Sequence, residues 1–203
     1  MVVPSPIPQE LILEEKKALR REMRAKRRQF VADIPAGVRA LILNRPPAAI
    51  VEALSGKPVL GFYMATGDEA PTLGWMRWFH ENGWQVALPR FTAGQAGMEF
   101  AVWDNPLDDE MLEPGLMGIA QPAGSAPAIV PDALVVPLVA FTAEGHRLGQ
   151  GGGHYDRWLA ANPVELAIGL AWDVQCVDAL PIEAHDRPLD AVVTPTRVYW
   201  SKP

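Results

Sequence analysis

Apolar and polar positions change rhythm along this chain. Across residues 11–31, Ile12, Leu19, Met23 and Phe30 recur at helical spacing, which predicts one long helix with an apolar stripe. Pro35 and the Pro46-Pro47 pair then punctuate two shorter helical pieces, 36–44 and 48–54. From Lys57 onward strands and helices alternate. A strand is expected over 58–64, then a helix over 71–82 that opens at Pro71 and stops at Gly83, then a strand over 84–89. Residues 98–103 alternate as a half-exposed strand, while 133–141 and 166–172 are buried-type runs. Short strands at 191–194 and 198–200 follow, and 122–131 reads as a flexible, low-complexity loop.

Such alternation predicts an α/β layered fold with a mostly parallel central sheet flanked by helices, preceded by the long N-terminal helix. Ligands of such sheets bind beyond the carboxyl ends of the strands. Three stretches fall there: residues 65–69, a glycine-rich loop after 133–141, and Asp173-Val174-Gln175 with the later His185-Asp186. Taken singly, Asp68 and Glu69 read as charges ahead of a helix start, Asp186 as a turn residue and Gln175 as a surface amide.

Composition narrows the class. The 203 residues suit a single domain, expected over 10–203 behind a flexible 1–9. The lone Cys176 excludes an internal disulfide framework, and His80, His146, His154 and His185 lack zinc-ligand spacing. Residues 1–9 have neither a basic start nor an apolar core of a signal, and no run reaches membrane-spanning length, so a cytoplasmic location is expected. Charge is segregated. Between Glu14 and Arg28 lie eight Lys/Arg and three Glu, leaving ten basic and 21 acidic side chains elsewhere. An acidic body with one basic helix argues against nucleic acid as the partner. Within that helix Lys16, Arg20, Arg24 and Arg27 share a face; on its own this reads as a solvated basic surface.

The strongest chemical signal is Arg147-Leu148-Gly149-Gln150-Gly151-Gly152-Gly153-His154-Tyr155-Asp156-Arg157. Its glycines let backbone N–H groups approach an anion, and the helix start that follows adds unpaired donors and a positive dipole end. Arg147 and Arg157 bracket the loop, and Asp156 offers a hard oxygen to Mg²⁺. The pattern is neither a Walker loop, since Gly56-Lys57 is followed by Pro58, nor a dinucleotide fingerprint, since His154 occupies the third glycine. A plain glycine-rich turn is the alternative.

Several further motifs occur in a fixed order: Lys16-Lys17-Ala18-Leu19-Arg20, Phe62-Tyr63-Met64 with Asp68-Glu69-Ala70-Pro71-Thr72, Ala87-Leu88-Pro89-Arg90, Met98-Glu99-Phe100, and Gly118-Ile119-Ala120-Gln121-Pro122. Ile168-Gly169-Leu170-Ala171-Trp172 with Gln175, Leu180-Pro181 and His185-Asp186 close the set. Together with the glycine loop they resemble the 5-formyltetrahydrofolate cyclo-ligase family, over nearly the whole chain. The resemblance implies a three-layer α/β sandwich. It also implies ATP- and Mg²⁺-dependent cyclisation of 5-formyltetrahydrofolate to 5,10-methenyltetrahydrofolate, through a phosphorylated formyl (imidate) intermediate, with release of ADP and phosphate.

By the same resemblance, ATP contacts Lys16, Lys17, Ala18, Leu19 and Arg20, which reverses the solvated-surface reading of the basic helix. ATP also contacts Arg147, Leu148, Gly149, Gln150, Gly151, Gly152, Gly153, His154 and Tyr155. The folate contacts Met64, Glu69, Gln150, Gly151, Gly152, Gly153 and His154. Asp156 and Asp186 hold magnesium, while Lys16, Arg20 and Arg147 carry the catalytic charge. His154 departs from the aromatic residue usual at its position. The implied partners are small molecules, not nucleic acid or membrane, for a monomer or weak homo-oligomer. Two other classes stay open: an ATP-free sugar-phosphate isomerase or CoA-transferase-like enzyme, and a non-catalytic relative that binds folate or nucleotide.

Overall fold

The computed structural model describes residues 9–39, 41–91, 97–115, 118–183 and 186–201. Its elements in order are α1 (Gln9–Ala32), α2 (Ala36–Arg39), α3 (Ala48–Ala53), β1 (Val59–Gly61), α4 (Leu73–Glu81), β2 (Gln85–Phe91) and β3 (Met98–Val102). There follow β4 (Leu112–Pro114), β5 (Ala120–Pro122), β6 (Ala133–Val136), β7 (Ala140–Phe141), β8 (Arg147–Leu148), α5 (His154–Ala161), β9 (Leu166–Leu170), β10 (Ala191–Val193) and β11 (Val198–Trp200).

A seven-stranded sheet in the order β11-β10-β9-β6-β1-β2-β3 forms the middle layer. The pairs from β10 to β2 are parallel, and only the two edge strands, β11 and β3, run antiparallel to their neighbours. Alternation along the strands feeds two cores. Val86, Leu88, Ala133 and Val135 face a cluster with Trp75, Met76 and Phe79 of α4 and Ile50 of α3. Ala87, Leu134 and Val136 face the other side, with Trp158 and Leu159 of α5. Each large side chain fully buried there stabilises by roughly 1.5–3 kcal/mol. The three-layer α/β arrangement expected from the sequence is therefore what forms.

Chain order reverses between β1 and β6. β2 lies on one side of β1 and β6, reached only after β3, β4 and β5, on the other. The crevice at such a switch point, beyond the strands' carboxyl ends, is where this class of sheet holds ligands.

The details depart from the sequence reading in four places. Of the helix expected over 36–44, the described residues are helical at Ala36–Arg39 and form turns from residue 41, with Leu43 at φ 55° ahead of Pro46 and Pro47. The run 133–141 is two strands, not one, parted at Pro137, which has no N–H to continue a ladder. Its second part pairs with Arg147–Leu148 in a hairpin that leads into the glycine loop. The strand at 98–103 is nearly all buried rather than half exposed, because the supposed flexible loop lies along it: Val102 N–H donates to the Pro127 carbonyl and Ile129 N–H to that of Phe100, at 3.0 and 2.9 Å.

The fourth departure matters most for function. The residues that α1 buries are Lys16, Met23, Arg27 and Val31, so its covered face is half charged, while Ile12, Leu19 and Phe30 of the expected stripe are only half buried. Charged groups are buried only when paired. α1 packs against segments that follow the central strands β1, β6 and β9, and carboxylates from distant loops pair with it there.

Candidate functional site

Arg27 marks the first of these pairings. Its Nε donates to Asp68 Oδ2 at 2.9 Å, with side-chain exposures of 6% and 25%. Burial alone would push the Asp68 carboxyl up, but the Arg27 hydrogen bond and charge outweigh it and hold it below the ordinary carboxylate range. The Asp68 carbonyl in turn accepts from Trp172 Nε1 at 2.9 Å. Asp68 is thus a structural anchor joining α1 to the loop after β1.

About three turns further toward the start of α1, Lys16 is enclosed. Its Nζ donates to Glu183 Oε2 at 2.8 Å and to Asp186 Oδ2 at 2.5 Å, and its side chain is 7% exposed. Burial opposes the ammonium, yet the hydrogen bonds and charges of Asp186 and Glu183 prevail and raise its pKa. The two carboxylates belong to one turn, closed by Glu183 N–H to Asp186 Oδ2 at 2.9 Å and Asp186 N–H to the Glu183 carbonyl at 3.0 Å. Asp186 is thus both a turn residue and a charge partner. Glu183 was not singled out from the sequence, where nothing local distinguishes it. His185 lies outside the described residues.

Between these two rows, α1 grips the glycine loop. Arg20 Nε donates to the Gly149 carbonyl at 2.9 Å and Arg24 Nη2 to the Gln150 carbonyl at 2.8 Å. Two side chains one helical turn apart therefore hold consecutive peptide oxygens. In a trans peptide the next N–H points away from the carbonyl, so the amides of Gln150 and Gly151 are turned from α1. Neither donates to a protein acceptor among the described residues. Gly151 at φ 105° and Gly153 at φ 64° occupy backbone conformations that a side chain disfavours. A Cβ on Gly153 would also sit 2.7 Å from Arg157 Nη1. Gly153 caps α5 without a side-chain hydrogen bond, leaving the helix start and its dipole open to an anion.

Arg147 pairs with Asp156 and donates through Nη1 to the Arg187 carbonyl at 2.8 Å. Burial lowers its pKa, but a guanidinium stays charged. His154 packs edge-on against Phe91, ring centroids 5.0 Å apart, with Arg157 Nη2 3.2 Å from its Nδ1. The loop after β1 closes the opposite side. Glu69 Oε2 accepts from the Thr66 amide at 2.9 Å and its hydroxyl at 3.1 Å, and Oε1 from Gln150 Nε2 at 2.6 Å.

These parts enclose one cavity of about 790 Å³. Its wall takes Lys16, Arg20 and Arg24 from α1, all of Arg147 to Asp156, and Glu183 and Asp186. Met64 and Glu69 face it too, with an apolar lining of Pro89, Phe91, Met98 and Ile119 that the sequence reading did not assign. From the basic motif only Lys16 and Arg20 reach it. Lys17 and Ala18 are exposed, with Lys17 3.6 Å from Glu14, and Leu19 packs against the Met23 and Leu148 cluster. Gln175 is not a surface amide but buried, donating to the Leu138 and Val139 carbonyls at 3.0 Å. Asp173 accepts from Thr194 and Thr196 and is structural. Among the described residues no group of three or more His, Cys, Asp or Glu stands ready to hold a metal alone, and no helix is long and apolar enough to cross a membrane.

The fold and cavity define an α/β protein with a glycine-rich loop beside its topological switch point, and one chamber joining cationic and apolar walls. Residues 12–195 match the model of the 5-formyltetrahydrofolate cyclo-ligase family, and the chain belongs to that family. The 5-formyltetrahydrofolate cyclo-ligase of Escherichia coli (strain K12) is 50% identical over 70 residues, 34% of this chain; the chain thus spans 38% of that relative's length. That of Mycolicibacterium smegmatis is 30% identical over 157 residues, 71% of this chain and 76% of its own. Among solved structures, the NMR structure of Aquifex aeolicus 5,10-methenyltetrahydrofolate synthetase superposes with a TM-score of 0.72 at 26% identity, covering 93% of each chain.

Proposed function

We propose that this chain converts 5-formyltetrahydrofolate to 5,10-methenyltetrahydrofolate at the expense of ATP. The observation that carries the reading is the single chamber that pairs Lys16, Arg20 and Arg147 with an open glycine-loop backbone on one side, and Glu69 with Met64, Phe91 and Met98 on the other. A polyphosphate suits the first wall and a flat heterocycle with an N–H donor the second, because Glu69 Oε1, which takes one hydrogen from Gln150, keeps acceptor capacity for a ring N–H.

The formyl group is an amide whose oxygen leaves poorly. That oxygen attacks the γ-phosphorus and ADP departs, giving an imidate phosphate. The 10-nitrogen then attacks the formyl carbon, loses its proton, and inorganic phosphate leaves as the ring closes. Phosphoryl transfer asks the protein mainly for alignment and charge neutralisation. Arg147 and Lys16 would meet the phosphates, Arg20 would carry both a charge and the Gly149 carbonyl, and the loop amides would face phosphate oxygens. No Ser-His-Asp or Cys-His nucleophile is needed.

Magnesium fits the donor set. Asp156 and Asp186 are hard oxygen ligands on the cavity wall, and Mg²⁺ is usually held by one or two carboxylates plus substrate phosphates and water. When bound it would neutralise charge on the transferring phosphoryl group. Isotope transfer tests the route: substrate labelled with ¹⁸O in the formyl group should yield phosphate carrying one ¹⁸O. Unlabelled phosphate would exclude phosphorylation at the formyl oxygen.

A further inference from the structure

Arg24 lies on the cationic helix beside Arg20, and proximity alone would make it one more phosphate ligand. Its hydrogen bonds lead elsewhere. Nη2 donates to the Gln150 carbonyl at 2.8 Å and also to the Gln150 side-chain Oε1 at 2.9 Å. The other end of that amide, Nε2, donates to Glu69 Oε1 at 2.6 Å. The remaining Glu69 oxygen is taken by the Thr66 amide and hydroxyl. A guanidinium only donates and a carboxylate only accepts, so the two charges impose one orientation on an amide that is otherwise nearly symmetric in shape. Turned over, Gln150 would direct Oε1 at the Glu69 carboxylate and NH₂ at the guanidinium, two repulsive contacts in place of two attractive ones.

We infer that Arg24 is a positioning residue for the folate rather than a nucleotide ligand: through Gln150 it fixes the plane of the Glu69 carboxylate that meets the pterin. The inference rests on the cyclo-ligase reading of the cavity and adds to it a link between three elements far apart in sequence. Arg24 comes from α1, Gln150 from the glycine loop and Glu69 from the loop after β1, and each contributes one member of the chain of hydrogen bonds. The link also explains why a half-exposed arginine reaches across to a glutamine when solvent is available to it: the two opposite charges at its ends make the bridge stronger than a neutral amide contact.

Steady-state kinetics of Arg24→Met, Gln150→Met and the double variant test it. Arg24→Met, which keeps most of the aliphatic stem, should raise the KM for 5-formyltetrahydrofolate roughly five- to tenfold and the ATP KM by clearly less, the smaller effect coming from the lost contact to the Gln150 carbonyl. The double variant should raise the folate KM no further than Gln150→Met alone, since the effect on the folate runs through the Gln150 side chain. Arg24→Lys, which can still donate to Gln150 Oε1, should recover most of the folate KM. An ATP KM that rises as much as the folate KM, or single effects that multiply in the double variant, overturns the inference. Wild-type enzyme without turnover would instead remove the cyclo-ligase reading beneath it, so the two failures are told apart by the control.

Discussion

Lys16 and Asp186 stand 170 positions apart in the chain, yet Lys16 Nζ lies 2.5 Å from Asp186 Oδ2 with both groups on the wall of one cavity. Glu183 takes a second hydrogen from the same ammonium. The arrangement holds the cation proposed to meet phosphate between two anions. Removing the cation leaves two adjacent carboxylates facing incoming polyphosphate. Lys16→Ala should therefore cut kcat/KM for ATP by at least about a hundredfold, since truncation loses a contact and also removes the counter-charge beside the Asp186 and Glu183 carboxylates. A loss below tenfold would place the phosphates away from this turn.

Arg20 and Glu69 divide the chamber. Arg20→Ala removes a charged hydrogen-bond donor worth roughly 1.5–3 kcal/mol and frees the Gly149 carbonyl, so ATP affinity should fall about ten- to hundredfold. Glu69→Ala should act mainly on the folate KM. Equal loss of ATP affinity in both variants, with folate affinity intact, would refute the division.

Asp156→Asn should lower turnover and shift the magnesium titration to higher concentration, because a neutral amide oxygen holds a hard cation less well than a carboxylate. The variant also weakens the partner of Arg147. Magnesium titration at saturating ATP isolates the metal effect, and an unchanged midpoint would take Asp156 out of the metal site.

His154 occupies the place of an aromatic ring and is stacked as one, edge-on against Phe91. His154→Phe should leave the folate KM within about threefold, whereas His154→Ala should raise it roughly three- to tenfold as the ring pair is lost. The reverse order would mean that the imidazole acts through its nitrogens.

The Arg27–Asp68 pair predicts the acid limb of stability. The folded-state pKa of Asp68 is depressed, so its contribution is present above the unfolded value of about 3.9 and is lost as pH falls through the lower folded value. At neutral pH Asp68→Asn should cost about 2 kcal/mol, less than a fully buried pair because Asp68 is one-quarter exposed, and lower Tm by roughly 4–8 °C. Below pH 4 the gap between variant and wild type should narrow. A constant gap in thermal scans from pH 7 to pH 3 would deny the pair that role.

What could be read from sequence follows the range of the interactions. The glycine loop, the flanking Arg147 and Asp156, and the strand–helix rhythm are local patterns, and the structure brings Arg147 through Asp156 to one cavity. The buried charged face of α1 was hidden because periodicity counts apolar side chains, while Lys16 and Arg27 are buried by Glu183, Asp186 and Asp68 from other parts of the chain. Glu183 and the Arg24–Gln150–Glu69 bridge escaped for the same reason, as pairings through space with no local mark. The two-residue strands β7 and β8 are too short to carry a period, and the proline-rich segment before Pro131 reads as loose although its backbone is bonded to β3.

The most direct measurement is a spectrophotometric turnover assay of the purified protein with 5-formyltetrahydrofolate, ATP and Mg²⁺, omitting each in turn. Methenyltetrahydrofolate should form only when all three are present, with one ADP released per product. Product formed without ATP, or ADP release indifferent to the folate, would contradict the cyclo-ligase assignment.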